Sequence, residues 1–154
     1  MTADASGMTD AATAHVGYGA SAGTRRGLAS WHEVVDSRDP QRLADVLADS
    51  VVFRSPIVHT PQRGRELTTL YLTGAMVVLG NDTFSYVREV ADGSTAILEF
   101  TSDIDGITVN GVDMIEFDAD GRIVDFKVML RPMKAITLVG QKMSEMLAAL
   151  TEAP

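Results

Sequence analysis

Three Asp-Gly dipeptides, Asp92-Gly93, Asp105-Gly106 and Asp120-Gly121, divide the second half of the chain into four stretches of similar length. Asp-Gly favours tight turns with positive φ, and the stretches between are rich in β-branched, aromatic and alternating apolar residues. The sequence therefore predicts four strands, roughly at 83–91, 94–104, 107–118 and 122–131, folded as an antiparallel meander. A sheet of that length must bury one face, which limits the fold to classes that supply a cover.

The cover is legible upstream. Leu28, Trp31, His32 and Val35 recur at helical spacing and turn Trp31 and His32 inward. Asp39-Pro40 supplies an N-cap oxygen and a proline for the first helical position, ahead of Leu43, Val46 and Leu47. Residues 50–54 read as a strand closed by Ser55-Pro56. Leu67, Leu70, Tyr71, Gly74 and Val78 mark a third helix that stops at Gly80-Asn81-Asp82. Ile136, Val139, Met143, Met146, Leu147 and Leu150 mark a closing helix that runs through Gly140. The order α-α-β-α-β-β-β-β-α is α+β, with a single domain expected over 25–151. Residues 1–24 are dominated by Ala, Ser, Thr and Gly, Gly17, Gly19 and Gly23 among them, and read as a disordered arm.

Composition removes several function classes. Thirteen basic against twenty-one acidic side chains leave a net charge of -8, which disfavours nucleic acid and anionic membrane surfaces. No apolar run reaches the roughly 20 residues a spanning helix needs. The chain has no cysteine and three histidines, so thiolate chemistry is excluded and neither a metal site nor a cofactor is expected. The N-terminal stretch lacks a basic start followed by an apolar core, from which a cytoplasmic location is expected.

Strand alternation locates the candidate chemistry. Asp113 shares a face with Ile115 and Phe117, so a carboxyl stands on an apolar surface. Such a group must either hold its proton or find a donor. Phe100, Phe126 and Val128 fall on inward faces of neighbouring strands, and Phe53, Ile57, Val58 and Tyr71 can wall a pocket between sheet and helices. Histidine is the side chain whose ordinary charge change lies near neutral pH, which makes His32 and His59 the candidate proton carriers beside Asp113. Val87, Val112, Met114 and Met129 place apolar groups on the outward face, and a homodimer is the expected cover.

The segments SRDPQRLADVLADSVVFRSP and NGVDMIEFDADGRIVDFKVMLRP, set in this element order, resemble the nuclear transport factor 2-like superfamily, nearest its ketosteroid isomerase and SnoaL-like branch. The resemblance covers about residues 25–150. It implies a cone-shaped curved sheet wrapped by helices around a deep hydrophobic pocket, commonly in a dimer made through the outer sheet face. It also implies that Asp113 matches the oxyanion-hole aspartic acid of ketosteroid isomerase, a carboxyl kept neutral to donate a hydrogen bond. Trp31 falls where that enzyme has its oxyanion-hole tyrosine, and Ser55 where it has its general-base aspartate. The expected protein binds a hydrophobic small molecule, steroid-like or polyketide-like, as a cofactor-independent isomerase or lyase with Asp113 on the carbonyl. The alternatives are a non-catalytic binder of an apolar ligand or dimeric accessory protein, and a dimerisation module whose pocket is filled by its own side chains.

Overall fold

The structure is a computed structural model that describes residues 15–152. In chain order it comprises β1 (His15–Ala20), α1 (Ala22–Ser37), a 3-10 turn (Pro40–Arg42) and α2 (Leu43–Val46). There follow β2 (Leu47–Arg54), β3 (Gln62–Arg63), α3 (Arg65–Leu79), β4 (Ser85–Gly93), β5 (Thr95–Ile104), β6 (Ile107–Phe117), β7 (Ile123–Arg131) and α4 (Met133–Glu152). The four meander strands lie where the Asp-Gly turns place them. At the β5–β6 turn Asp105 and Gly106 both take positive φ, 49° and 79°, the backbone that Asp-Gly tolerates and most pairs do not.

All seven strands form one unclosed sheet in the order β1-β4-β5-β6-β7-β2-β3, with β2 parallel to β7 and β1 parallel to β4. Register aligns the inner face across the meander. Leu98 pairs with Asp113, which pairs with Val128, while Ala96, Ile115 and Phe126 form the adjacent row. The concave side is covered by α1, α3 and α4, and the core runs continuously from Leu28 and Trp31 to Phe126 and Val139. The α+β architecture expected from the sequence is the observed one, with α4 joining the earlier helices as cover.

The expected arm boundary is displaced. Residues 15–20 form a strand and α1 begins at Ala22; the rest of the arm, 1–14, lies outside the described residues. Ser21 caps α1 by accepting from the Thr24 amide at 3.0 Å, and the Thr24 hydroxyl donates to the Gly93 carbonyl at 2.8 Å. Gly23, read from composition as a marker of flexibility, is a packing residue. A Cβ there would lie 2.5 Å from the Ala119 carbonyl oxygen, and one at Gly27 would lie 2.3 Å from that of Gly121. The glycines let α1 seat directly on the β6–β7 hairpin. The helix expected after Asp39-Pro40 is reduced to the 3-10 turn and the four-residue α2.

This contact sets a test. Gly27→Ala raises intrinsic helix propensity by about 1 kcal/mol, yet it drives a methyl group into backbone, where overpacking costs roughly 1–3 kcal/mol. We expect a net loss of stability by urea denaturation and a larger loss for Gly27→Val; a Gly27→Ala protein as stable as the parent would contradict the close crossing.

Candidate functional site

Between the sheet and the three helices lies a cavity of about 510 Å³. A cavity of this size favours a ligand-binding reading over one in which the pocket is filled by its own side chains. Its walls come from every element that the sequence pointed to. Trp31 enters from α1, Phe53 from β2, and Tyr71 from α3, while Phe100, Phe126 and Val128 rise from the sheet. The Trp31 and Phe126 rings meet edge to face at 5.0 Å, and Phe53 packs on Tyr71 at 5.7 Å. Ile57 and Val58 line the cavity while remaining about two-fifths exposed, so they sit at its rim. Ser55 also lines it, and its hydroxyl oxygen accepts from the Ile57 and Val58 amides at 3.0 and 3.3 Å, which makes it the cap of that turn.

Asp113 is 6% exposed and reaches the cavity from the middle of β6. Its donor is a residue the sequence reading did not name. Tyr86 of β4 donates its hydroxyl proton to Asp113 Oδ2 at 2.6 Å, and the Trp31 indole Nε1–H donates to the Tyr86 oxygen at 2.9 Å. Asp113 Oδ1 makes no hydrogen bond among the described residues, and it is not a sealed orphan atom; with Asp113 in the cavity wall, this oxygen is the one open to a ligand. The order of donors is forced. An indole nitrogen can only donate, so Tyr86 must pass its own proton onward, and any proton on the carboxyl belongs on Oδ1.

Burial pushes the Asp113 carboxyl up from its ordinary 3.8 to about 7, and the hydrogen bond from Tyr86 pulls in the opposite direction. Tyr86 is held well above the usual phenol range, first by burial and then by the Asp113 charge beside it. Near neutrality Asp113 is thus poised between donor and acceptor, the condition for moving protons at physiological pH.

Three expected site residues are not brought to the cavity. His32 lies one position past Trp31 on α1, and successive helical residues point about 100° apart. Trp31 therefore reaches the cavity while the His32 Nε2 contacts Glu89 Oε2 of β4 at 2.8 Å. His59 stands exposed on the loop beyond the Ser55 turn. Ile115 is fully buried in the core, two residues before the Phe117 ring on which α1 rests through Gly27. Tyr86, conversely, had a signal. A carboxyl on an apolar face requires a donor, and alternation in β4 with Val87 outward turns Tyr86 inward. A bulge between Tyr86 and Arg88 hides the register from sequence.

No group of three or more His, Cys, Asp or Glu that could hold a metal occurs among the described residues, and no helix there is long and apolar enough to cross a membrane.

Comparison with known proteins agrees with the fold. A family profile described as the SnoaL-like domain matches residues 28–126. A steroid delta-isomerase from Pseudomonas aeruginosa is 36% identical, with a TM-score of 0.82 over 92% of this chain and 100% of that one. A bacterial protein with a cystatin-like fold from Silicibacter pomeroyi DSS-3 is 27% identical, with a TM-score of 0.75 over 85% and 90%. A de novo designed protein with a curved β-sheet, 14% identical, matches in fold alone at a TM-score of 0.62 over 76% and 96%. No protein of curated function matches the sequence.

The raised Asp113 pKa makes stability depend on pH with a definite sign. The folded state binds this proton more tightly than the unfolded state, so the contribution is complete below about pH 4 and is lost as pH rises through about 7. The full span is on the order of 4 kcal/mol. Asp113→Asn, which is neutral throughout, should flatten this part of the stability profile measured by denaturant titration between those limits; an unchanged slope would contradict the shift.

Proposed function

The chain belongs to the SnoaL-like family, and from that premise we propose a cofactor-independent isomerase- or lyase-type enzyme acting on a hydrophobic carbonyl compound. Family and fold carry the coarser statement, a small-molecule-binding or isomerase-type protein of the ketosteroid isomerase-like kind. The finer one rests on a single observation, the directed chain from Trp31 through Tyr86 to Asp113. In its neutral form Asp113 presents an Oδ1 hydroxyl to the cavity. A substrate carbonyl placed against it is polarised, and any negative charge that develops on that oxygen strengthens the bond. The name of the Pseudomonas aeruginosa relative supports a steroid ketone as the first substrate to try.

A second reading has its own support. The Ser55 hydroxyl is engaged as a turn cap, and neither His32 nor His59 lines the cavity. A protein that binds the carbonyl compound and returns it unchanged fits those facts. Both readings place the same ligand against Asp113.

The outer sheet face bears on assembly. Val87, Val90 and Met129 are each about half exposed there. This supports a homodimer through the outer face, for which Val90→Lys should lower the mass seen by sedimentation to that of the monomer; a monomeric parent protein would remove the proposal.

A β,γ-unsaturated steroid ketone offers a direct assay, since its conjugated isomer absorbs strongly in the near ultraviolet. We expect turnover that falls as pH rises through about 7 and a decrease of roughly 10²–10³-fold in kcat for Asp113→Ala. Binding without conversion selects the second reading, whereas turnover unaffected by Asp113→Ala removes Asp113 from the mechanism.

A further inference from the structure

Glu89 and His32 form a second polar pair beside Tyr86, and neither lines the cavity. Glu89 lies on β4 and points inward despite its charge, its side chain only 6% exposed. The inward direction follows from register: Glu89 pairs with Leu98 and Tyr86 with Phe100, both of them core residues. The bulge between Tyr86 and Arg88 therefore places phenol and carboxylate on the same face of one strand. An inward carboxylate needs a donor. His32 supplies it from α1, with Nε2 at 2.8 Å from Oε2. The same imidazole stands edge-on to the Tyr86 ring, centroids 5.6 Å apart at 88°. The ring also meets Phe84 edge to face, at 5.2 Å.

Tyr86 is thus gripped by its ring as well as by its hydroxyl. Rotation of the phenol about its strand would lengthen the 2.6 Å bond to Asp113, and the two edge contacts oppose that rotation. The His32 nitrogen is held on Glu89, whose side chain is buried and whose other oxygen has no partner among the described residues, so loss of this contact leaves the carboxyl unpaired. The charged groups facing this imidazole are Glu89 from β4 and Asp36 one turn along α1, and both favour its protonated form; the bond to Glu89 acts most strongly and burial opposes it.

We propose that His32 and Glu89 are positioning residues: the imidazole, anchored on the buried carboxylate, braces the Tyr86 ring so that its hydroxyl remains on Asp113 Oδ2. The proposal rests on the reading of Asp113 as the group that meets the ligand. It gives a role to a histidine that the sequence marks as a proton carrier and the structure turns away from the cavity. It also accounts for an acidic residue on the inner face of a sheet, where a Leu would pack more simply.

The test is a thermodynamic cycle read on the ligand-free protein. The Asp113 carboxyl carbon is followed by NMR as a function of pH in the parent, His32→Ala, Glu89→Gln, Tyr86→Phe, and His32→Ala combined with Tyr86→Phe. Because Tyr86 holds the Asp113 midpoint down, loosening its bond should raise it. We expect an upward shift of about half a pH unit for His32→Ala, a smaller one in the same direction for Glu89→Gln, which keeps a polar partner, and the largest for Tyr86→Phe. In the Tyr86→Phe background, His32→Ala should shift nothing further, since the hydroxyl that transmits the effect is gone. A purely structural role for His32 would move the midpoint equally in both backgrounds, and an Asp113 midpoint unmoved by His32→Ala would equally overturn the proposal. Failure of the underlying reading shows separately, in binding of β-naphthol, a flat apolar phenol, that is indifferent to Asp113→Ala while the titration shifts persist.

Discussion

An indole nitrogen carries a proton and its lone pair is tied up in the aromatic ring, so it can only donate, and the polar part of this structure follows from that asymmetry. With Trp31 donating, the Tyr86 hydroxyl has only one direction left for its own proton, and Asp113 Oδ2 receives it. The carboxyl is then half satisfied by protein. Its remaining oxygen is left to the cavity, where a neutral acid donates and a carboxylate accepts. Replacing the indole by a phenol, as the ketosteroid isomerase pattern has it, would free the hydroxyl order to reverse. In this chain the order is fixed by the covalent chemistry of one side chain.

That chain of donors depends on where the backbone puts its members. Trp31 reaches Tyr86 because α1 lies close on the sheet, and α1 lies close because Gly23 and Gly27 leave the carbonyls of Ala119 and Gly121 unobstructed. Tyr86 reaches across β5 to Asp113 of β6, past Phe100, whose ring occupies the space where a side chain at Gly111 would stand. The apolar shell that these contacts create is also what raises the Asp113 pKa, since burial is the largest cause of the shift. Packing and electrostatics here are one arrangement seen at two distances.

How much of this could be read in the residues varies with the range of the signal. Turns are local, so Asp92-Gly93, Asp105-Gly106 and Asp120-Gly121 located the meander to within two residues. Period-2 alternation put Asp113, Phe100, Phe126 and Val128 on the inner face, where they are. Helical spacing turned both Trp31 and His32 toward the sheet, but which strand each would meet depends on the crossing angle of α1, which no periodicity encodes. The start of α1 was hidden for a related reason. Glycine reads as flexibility when only composition is weighed, and as close packing only once the surface opposite Gly23 is known. Tyr86 was missed although the need for a donor to Asp113 was evident; the bulge after it, and its position two strands away, are properties of the assembled sheet.

Asp113 holds its proton up to a midpoint near 7, with Oδ1 as the open atom. Infrared difference spectroscopy between the parent protein and Asp113→Asn reads that proton directly, through the carbonyl stretch that a carboxylic acid has and a carboxylate lacks. A difference band for a protonated acid should be present a pH unit below the midpoint near 7 and fade as pH is raised a unit above it. A spectrum showing only carboxylate bands already at the lower pH would mean that the cavity holds a charged Asp113, and the assignment of Asp113 as donor would be lost.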